Sequence, residues 1–271
     1  VKLENKQWNL AVCQIDVALG HPEMNYDTVN RVLHEAVTVA EGMHKPDIII
    51  LPEMWNTGYA LTELTQVADE HGARTQALFS HFAKQHQVNV IAGSVAVKLA
   101  DETFVNRSYV YNREGELISI YDKIHLFCLM DEHLHLQEGS SLGSIEIDDV
   151  SAGLMICYDI RFPELARKLA LSGAKVMFVP AQWPNPRLHH WRTLLQARAI
   201  ENQMYVVACN RVGESDGTSF FGHSMVIDPW GEVIHEGSEQ AAIIRVTLDL
   251  SLVDEVRARI PIFSDRRPHL Y

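Results

Sequence analysis

Four cysteines in 271 residues are too few for a disulfide framework, and Cys13, Cys128, Cys157 and Cys209 show none of the Cys-x-x-Cys spacing of a zinc ribbon. That usage suits a reducing compartment, and the expected location is the cytoplasm. No apolar stretch approaches the roughly 18 residues of a membrane span, so no membrane partner is expected. No basic cluster relieves a formal net charge of −12, which excludes phosphate-tracking contacts with nucleic acid and leaves small molecules as the expected partners. Residues 1–6 run into a strand-like segment without an apolar leader, so no secretory signal is expected there. Neither a Pro/Gly/Ser-rich linker nor a repeat with a period of about 20–50 residues divides the chain. With 47% hydrophobic residues, one domain over 1–271 with a large core is expected. Fourteen histidines raise the question of a metal, but His133-x-His135 and His189-His190 lack a cysteine or carboxylate at ligand spacing, and none is expected.

What the chain does contain is an alternation of strand and helix patterns. A strand over 8–15 precedes a helix over 26–41, with Val29, Val32, Leu33, Ala36 and Val37 at helical spacing and Asn25 or Asp27 placed to cap it. Ile48-Ile49-Ile50-Leu51 is a continuous apolar run, the pattern of a strand buried on both faces, and it stops at Pro52-Glu53. A helix over 75–87 and a strand over 88–97 come next. Two strand-like runs, 106–111 and 116–120, are joined by Asn112-Arg113-Glu114-Gly115, a hairpin signal, and lead into Tyr121-Asp122-Lys123. Residues 128–150 read as a long connection with few helical signals, and such loops are often functional. After residue 150 come the apolar run Leu154-Met155-Ile156, a helix from Pro163, a strand over 175–180, a helix over 189–202 and a strand over 204–209. The tail is a hairpin through 228–231, a strand over 242–248 and a short helix to Arg259.

Three polar residues fall at strand ends in this pattern: Glu53, Lys123 and Cys157. Ligands of open α/β sheets sit outside the carboxyl ends of strands, so the three have a route to one crevice. Cys157 lies where a strand stops and a helix is about to begin, where backbone N–H groups favour a thiolate and any oxyanion beside it. A thiol, a carboxylate and an ammonium make a self-consistent acyl-transfer set. Cys157 attacks a carbonyl or nitrile carbon, Glu53 carries the protons, and Lys123 with the Tyr158 N–H holds the oxyanion. Taken singly, each has a plainer reading: Cys157 as a small buried apolar residue, Glu53 and Lys123 as an ordinary ion pair.

Leu51-Pro52-Glu53, Asp122-Lys123-Ile124-His125-Leu126 and Cys157-Tyr158-Asp159 with Arg161-Phe162-Pro163-Glu164-Leu165 occur in the order in which the nitrilase superfamily of carbon-nitrogen hydrolases carries its motifs. The chain resembles that superfamily over essentially its whole length. The resemblance implies an α/β fold, a four-layer αββα sandwich of two mixed sheets flanked by helices, together with a homodimer and no cofactor. It assigns Glu53, Lys123 and Cys157 as the catalytic triad. A second family glutamate stands seven positions before a glycine, a spacing held by Glu132 and Gly139; the alternative for Glu132 is a solvated acid beside Asp131.

Cys-Tyr-Asp at the nucleophile resembles the amidase branches rather than nitrilases proper, where Cys-Trp-Glu is usual. Gln182-Trp183-Pro184, His190-Trp191, the run 195–202 and Cys209-Asn210-Arg211 resemble bacterial members similar to omega-amidase. The resemblance thus implies hydrolysis of the terminal amide of a small monoamide bearing a carboxylate, such as 2-oxoglutaramate, to ammonia and a dicarboxylate through a Cys157 thioester. N-carbamoyl amine hydrolysis and aliphatic nitrile hydrolysis are the alternatives with the same triad, and intact motifs argue against a non-catalytic scaffold. A substrate carboxylate needs a cation, and Arg161, Arg187 and Arg211 are the candidates, with pairing to Glu164 the alternative for Arg161. Trp55, Tyr59, Trp183 and Phe127 are candidate pocket walls, aromatics at such spacings more often being core. Cys128 stands where several amidase relatives carry Asp, and no role is assigned to it.

Overall fold

The structure, a computed structural model, describes residues 7–40 and 44–270. The leader expectation for residues 1–6 and the expected last helical residue, Glu41, lie outside the described residues.

Two sheets face each other with helices on their outer sides. In the first, the strands run Ala242–Asp249, Gln7–Gln14, Ile48–Ile50, Asn89–Ile91, Phe104–Tyr111, Val95–Lys98 and Asp69–Glu70, with Leu117–Asp122 also on Phe104–Tyr111. The second runs Val233–Glu236, Met225–Ile227, Tyr205–Asn210, Val176–Ala181, Val150–Leu154 and Ser144–Ile147. Both mix parallel and antiparallel pairs.

Side-chain alternation along the strand Gln7–Gln14 builds two of the layers at once. Trp8, Leu10 and Val12 join the core between the sheets, Trp8 stacking on Phe178 of the opposite sheet. Ala11 and Cys13 point the other way, into the core beneath helices Pro22–Val37 and Ala73–His86. Ile48 and Ile50 face the second sheet while Ile49 and Leu51 face the helices, so this strand is apolar on both sides. Helices Pro163–Leu171 and Leu188–Asn202 cover the other sheet through residues such as Leu165, Leu169, Trp191 and Leu195. This is the αββα sandwich of two mixed sheets that the motifs imply.

Several local expectations are revised. The first helix starts at Pro22, not near Tyr26, because proline fits a first turn; Asn25 lies inside it and ties the turn by bonding both backbone groups of Ala18. The expected strand over 88–97 is two strands, Asn89–Ile91 and Val95–Lys98, broken at Gly93 with φ 64°. The connection 128–150 has structure of its own: a 3-10 turn at Cys128–Met130, a helical turn at Glu132–His135 and the strand Ser144–Ile147. A further hairpin, Val212–Ser215 with Thr218–Phe221, has no counterpart among the expected elements.

The break at Gly93 shapes the end of the neighbouring strand. A Cβ there would sit 2.1 Å from the Pro52 carbonyl oxygen, and Ser94 N donates to that same oxygen. Gly93 therefore lets two loops close around the end of the Ile48–Ile50 strand. Gly93→Ala should destabilise the fold by about 2 kcal/mol or more, the positive φ and the backbone overlap both being unfavourable. It should also lower activity beyond the loss of folded protein, because Pro52 precedes Glu53. An unchanged denaturant midpoint would refute this.

Candidate active site

Each candidate group stands just past a strand of the sandwich, and the loops converge. Glu53 follows Ile48–Ile50, Lys123 follows Leu117–Asp122, and Cys157 comes shortly after Val150–Leu154. Glu53, Lys123 and Glu132 are all fully buried. The Lys123 Nζ is 2.8 Å from Glu53 Oε1 and 2.7 Å from Glu132 Oε1, one ammonium between two carboxylates. Glu132 is thus no solvated acid.

The three charges keep a dense set of hydrogen bonds, as buried charges must. Glu132 Oε2 accepts from Phe127 N at 2.6 Å and its Oε1 accepts from the Tyr59 hydroxyl at 2.7 Å. Glu53 Oε1 accepts from Asn106 Nδ2 at 2.8 Å and its Oε2 from Gln182 N at 2.8 Å. Gln182 also donates its side-chain amide to the Glu53 carbonyl, so the loop after Val176–Ala181 grips Glu53 from both ends. Burial opposes charging Lys123, but Glu132 and Glu53 outweigh it and hold its pKa above the ordinary lysine value. Burial pushes the Glu132 carboxyl up against the pull of Lys123, and Glu53 adds to the push. The seven-residue interval from Glu132 to Gly139 acquires a physical reason. Gly139 N donates to the Lys123 carbonyl, and a Cβ on Gly139 would lie 2.0 Å from the Asp122 oxygen.

Cys157 opens the 3-10 helix Cys157–Arg161 with φ 45°, a left-handed backbone that a non-glycine residue adopts only when its surroundings impose it. Asp159 supplies that constraint. Its buried carboxylate accepts from Ile156 N and from the Tyr121 hydroxyl at Oδ2, and from His125 N at Oδ1, which also lies 2.8 Å from His125 Nδ1. Tyr121 and His125 flank Lys123, so Asp159 staples the thiol turn to the lysine turn. The His125 ring lies flat on Phe162, 3.6 Å between centroids. Tyr158 is the second residue of the 3-10 helix, where a backbone N–H has no carbonyl of its own helix to bond.

One expectation about the thiol is corrected. Burial raises the Cys157 pKa well above the ordinary thiol value, Glu53 raises it further, and Lys123 offsets only part. The helix start does not make a resting thiolate here, because the desolvated sulfur faces a carboxylate. Burial and the neighbouring carboxyl favour the protonated thiol, and Glu53 is the group in position to take its proton.

The mouth beside Cys157 is a narrow pocket lined by Tyr59, Phe127, Cys157, Tyr158, Arg161, Gln182, Trp183, Pro184 and Arg187. Of the residues singled out in the sequence for the pocket, Tyr59, Phe127, Arg161, Trp183 and Arg187 are therefore brought together, and Trp55 and Arg211 are not. The Trp55 indole is fully buried against Tyr26 and Phe79 and donates to the Ala92 carbonyl, a core position. Arg211 is likewise buried. It spends its donors on Asp16, Val17, Val212, Ser215 and the Gln182 side chain, and so braces the loop that grips Glu53. Arg161 does not turn to Glu164; its guanidinium lies over Trp183 at 4.8 Å and reaches His190. Arg187 lies over Phe127 at 5.8 Å. Asn106 carries no sequence signal as a contributor, because it acts through a contact distant along the chain, while Gln182 and Asp159 stand in the quoted motifs without an assigned role. Among the described residues no three His, Cys, Asp or Glu side chains gather as a metal site requires.

The sequence matches the carbon-nitrogen hydrolase family over residues 9–258, and the chain belongs to that family. It is 45% identical to the 2-oxoglutaramate amidase of Bacillus subtilis strain 168 over 265 residues, covering 98% of this chain and all of the relative. It is 38% identical to the omega-amidase YafV of Escherichia coli strain K12, covering 83% of this chain and 86% of that one. Among solved structures, a CN-hydrolase superfamily protein of Xanthomonas campestris with an arsenic adduct in its active site superposes with a TM-score of 0.87. The identity there is 29%, with 97% and 98% of the two chains covered.

The protonation state of the thiol is open to direct measurement. The difference in thiolate absorbance near 240 nm between wild type and Cys157→Ala should be flat through neutral pH and rise only above the ordinary thiol value of 9.0. A step below pH 8 would show instead that a thiolate is preformed.

Proposed function

We propose that the chain is a cofactor-independent thiol amidohydrolase of the omega-amidase type. It releases ammonia from the terminal amide of a small monoamide whose other end is a carboxylate, with 2-oxoglutaramate the best single substrate. The observation that carries the reaction is the burial of Glu53, Lys123 and Glu132 in one bonded cluster against the strained turn of Cys157. The 45% identity to a 2-oxoglutaramate amidase over nearly the whole chain carries the substrate.

In this reading Glu53 removes the Cys157 proton as the sulfur attacks the amide carbon, and the oxyanion is held by Lys123 and the Tyr158 N–H. Glu53 then delivers that proton to the nitrogen, the C–N bond breaks and ammonia departs, leaving a thioester. Glu53 next takes a proton from water as the oxygen attacks the thioester, and returns it to the departing sulfur. Glu132 orients Lys123, and its bonds to Tyr59 and Phe127 N fix it for that task. Neutral thiol and ionised carboxylate are the resting states this cycle needs, in keeping with the raised pKa of Cys157. Tyr59 and Trp183 wall the pocket, while Arg161 and Arg187 offer the cations that a substrate carboxylate requires in a protein of net charge −12.

The enzyme acts as one domain, pairs as a homodimer and works in the cytoplasm. Support for pairing is the exposed apolar surface of Ile200, Val233, Ile234 and Ile260 around the 228–231 turn, where Gly231 packs on Ile200. Support for the compartment is that all four cysteines are unpaired, Cys128 exposed among them.

Cys157→Ala should abolish ammonia release with an unchanged melt, and Cys157→Ser should be nearly as poor. Turnover in the alanine variant would remove Cys157 as nucleophile. Glu132→Gln should lower kcat by more than tenfold; activity within a few-fold of wild type would return Glu132 to a structural role.

For the substrate, kcat/KM for glutaramate should exceed that for valeramide by about ten- to a hundredfold, the worth of one charge-assisted hydrogen bond. Arg161→Met or Arg187→Met should narrow that ratio. Equal rates on charged and uncharged amides, or a ratio unmoved by both changes, would rule out carboxylate recognition. A panel that adds a carbamoyl amine and a short nitrile separates the amidase from its sister activities.

A further inference from the structure

The two oxygens of Glu53 are loaded unequally. Three donors approach Oε1: Lys123 Nζ at 2.8 Å, Asn106 Nδ2 at 2.8 Å and the Tyr59 hydroxyl at 3.2 Å. Tyr59 has a single proton and lies nearer to Glu132 Oε1, at 2.7 Å, so Lys123 and Asn106 are the donors that fill Oε1. Oε2 accepts from Gln182 N, and the Cys157 thiol is a hydrogen-bond partner of the same carboxyl group. A carboxylate oxygen offers about two lone-pair directions, which leaves one open, on Oε2.

We infer that Asn106 is a positioning residue for the reaction: with Lys123 it occupies Oε1 of Glu53, so that the Cys157 proton is taken up and returned at Oε2. The inference rests on the reading of Glu53 as the general base. In the step concerned, the S–H bond breaks as the O–H bond forms at Oε2 and the sulfur lone pair bonds the amide carbon. The same O–H proton later goes to the leaving nitrogen.

A second observation points the same way. Asn106 is fully buried, and its Oδ1 meets no donor among the described residues. A carboxylate only accepts, so the amide must turn Nδ2 to Glu53 and leave its oxygen facing the side without a donor. A buried, half-satisfied amide is unfavourable, and an apolar side chain of similar volume would avoid it. The backbone of the same residue is also engaged, Lys123 N donating to the Asn106 carbonyl at 2.9 Å. One strand position thus sets both the lysine turn and the orientation of the base, at the expense of an orphaned acceptor.

The test uses Asn106→Leu, which deletes the donor, and Asn106→Asp, which replaces it with a second carboxyl group. Ammonia release from 2-oxoglutaramate is followed across pH beside thermal melts, with Glu53→Gln as control. The titratable groups facing Glu53 are Lys123, Glu132, Tyr59 and Cys157, all unchanged in these variants.

Losing a hydrogen bond to the ionised form raises the pKa of a carboxyl, so the acid limb of kcat/KM in Asn106→Leu should move up by about one pH unit. Its kcat should fall about ten- to a hundredfold with KM within about threefold. Asn106→Asp should move the limb further, and it keeps the test alive if the leucine variant fails to fold. An acid limb unmoved in both folded variants, with Glu53→Gln inactive, overturns the role of Asn106 alone. Turnover by Glu53→Gln overturns the general-base reading beneath it.

Discussion

The structure depends on one buried ammonium. Lys123 sits between Glu53 and Glu132 with no water-facing surface on any of the three. Two carboxyl groups share one cation in a low-dielectric interior, an arrangement that needs hydrogen-bond donors on the oxygens Lys123 does not fill. Phe127 N, Gln182 N, Asn106 and Tyr59 supply those donors, each from a different segment. The cluster is therefore also what holds the loops at this end of the sandwich together. Removing any single member would strand a charge, not merely delete a contact.

The same cluster sets the chemistry of the thiol. Desolvation beside a carboxyl group pushes the sulfur towards its protonated form, in contrast to thiols lowered by a neighbouring imidazolium or an open helix start. The reaction then relies on proton transfer in the attack itself, and the carboxylate must be ionised and aimed. The braces around Glu53 and the Asp159 staple across Tyr121, His125 and Ile156 serve that aim from opposite sides. Arg211, a candidate substrate cation by type, is consumed one layer further out in bracing Gln182.

Much of this was legible in the residues. The period-2 and period-3.6 patterns placed most strands and helices, and the Ile48–Ile50 run showed its two-sided burial by having no polar face. The three motifs pointed to one crevice because each ends a strand. Less legible were features decided by single backbone conformations. Gly93 splits an apolar run that looks continuous, and Pro22 starts a helix ahead of its first periodic residue. The 128–150 connection looked bare because its helical segments are single turns, too short to show a period.

The sequence by itself determined the fold class, the order of the elements and the chemical types at the strand ends, because those follow from local periodicity and from residues whose side chains have few other uses in such places. Only the tertiary structure decided which polar residues share a boundary. Trp55 and Tyr59, four positions apart, part company between core and pocket. Arg161 and Arg187 reach the mouth while Arg211 is buried behind it. Asn106, 53 positions from Glu53, becomes its neighbour. Burial and partnership are properties of a packed interior, set by contacts between segments distant along the chain, and no local pattern encodes them.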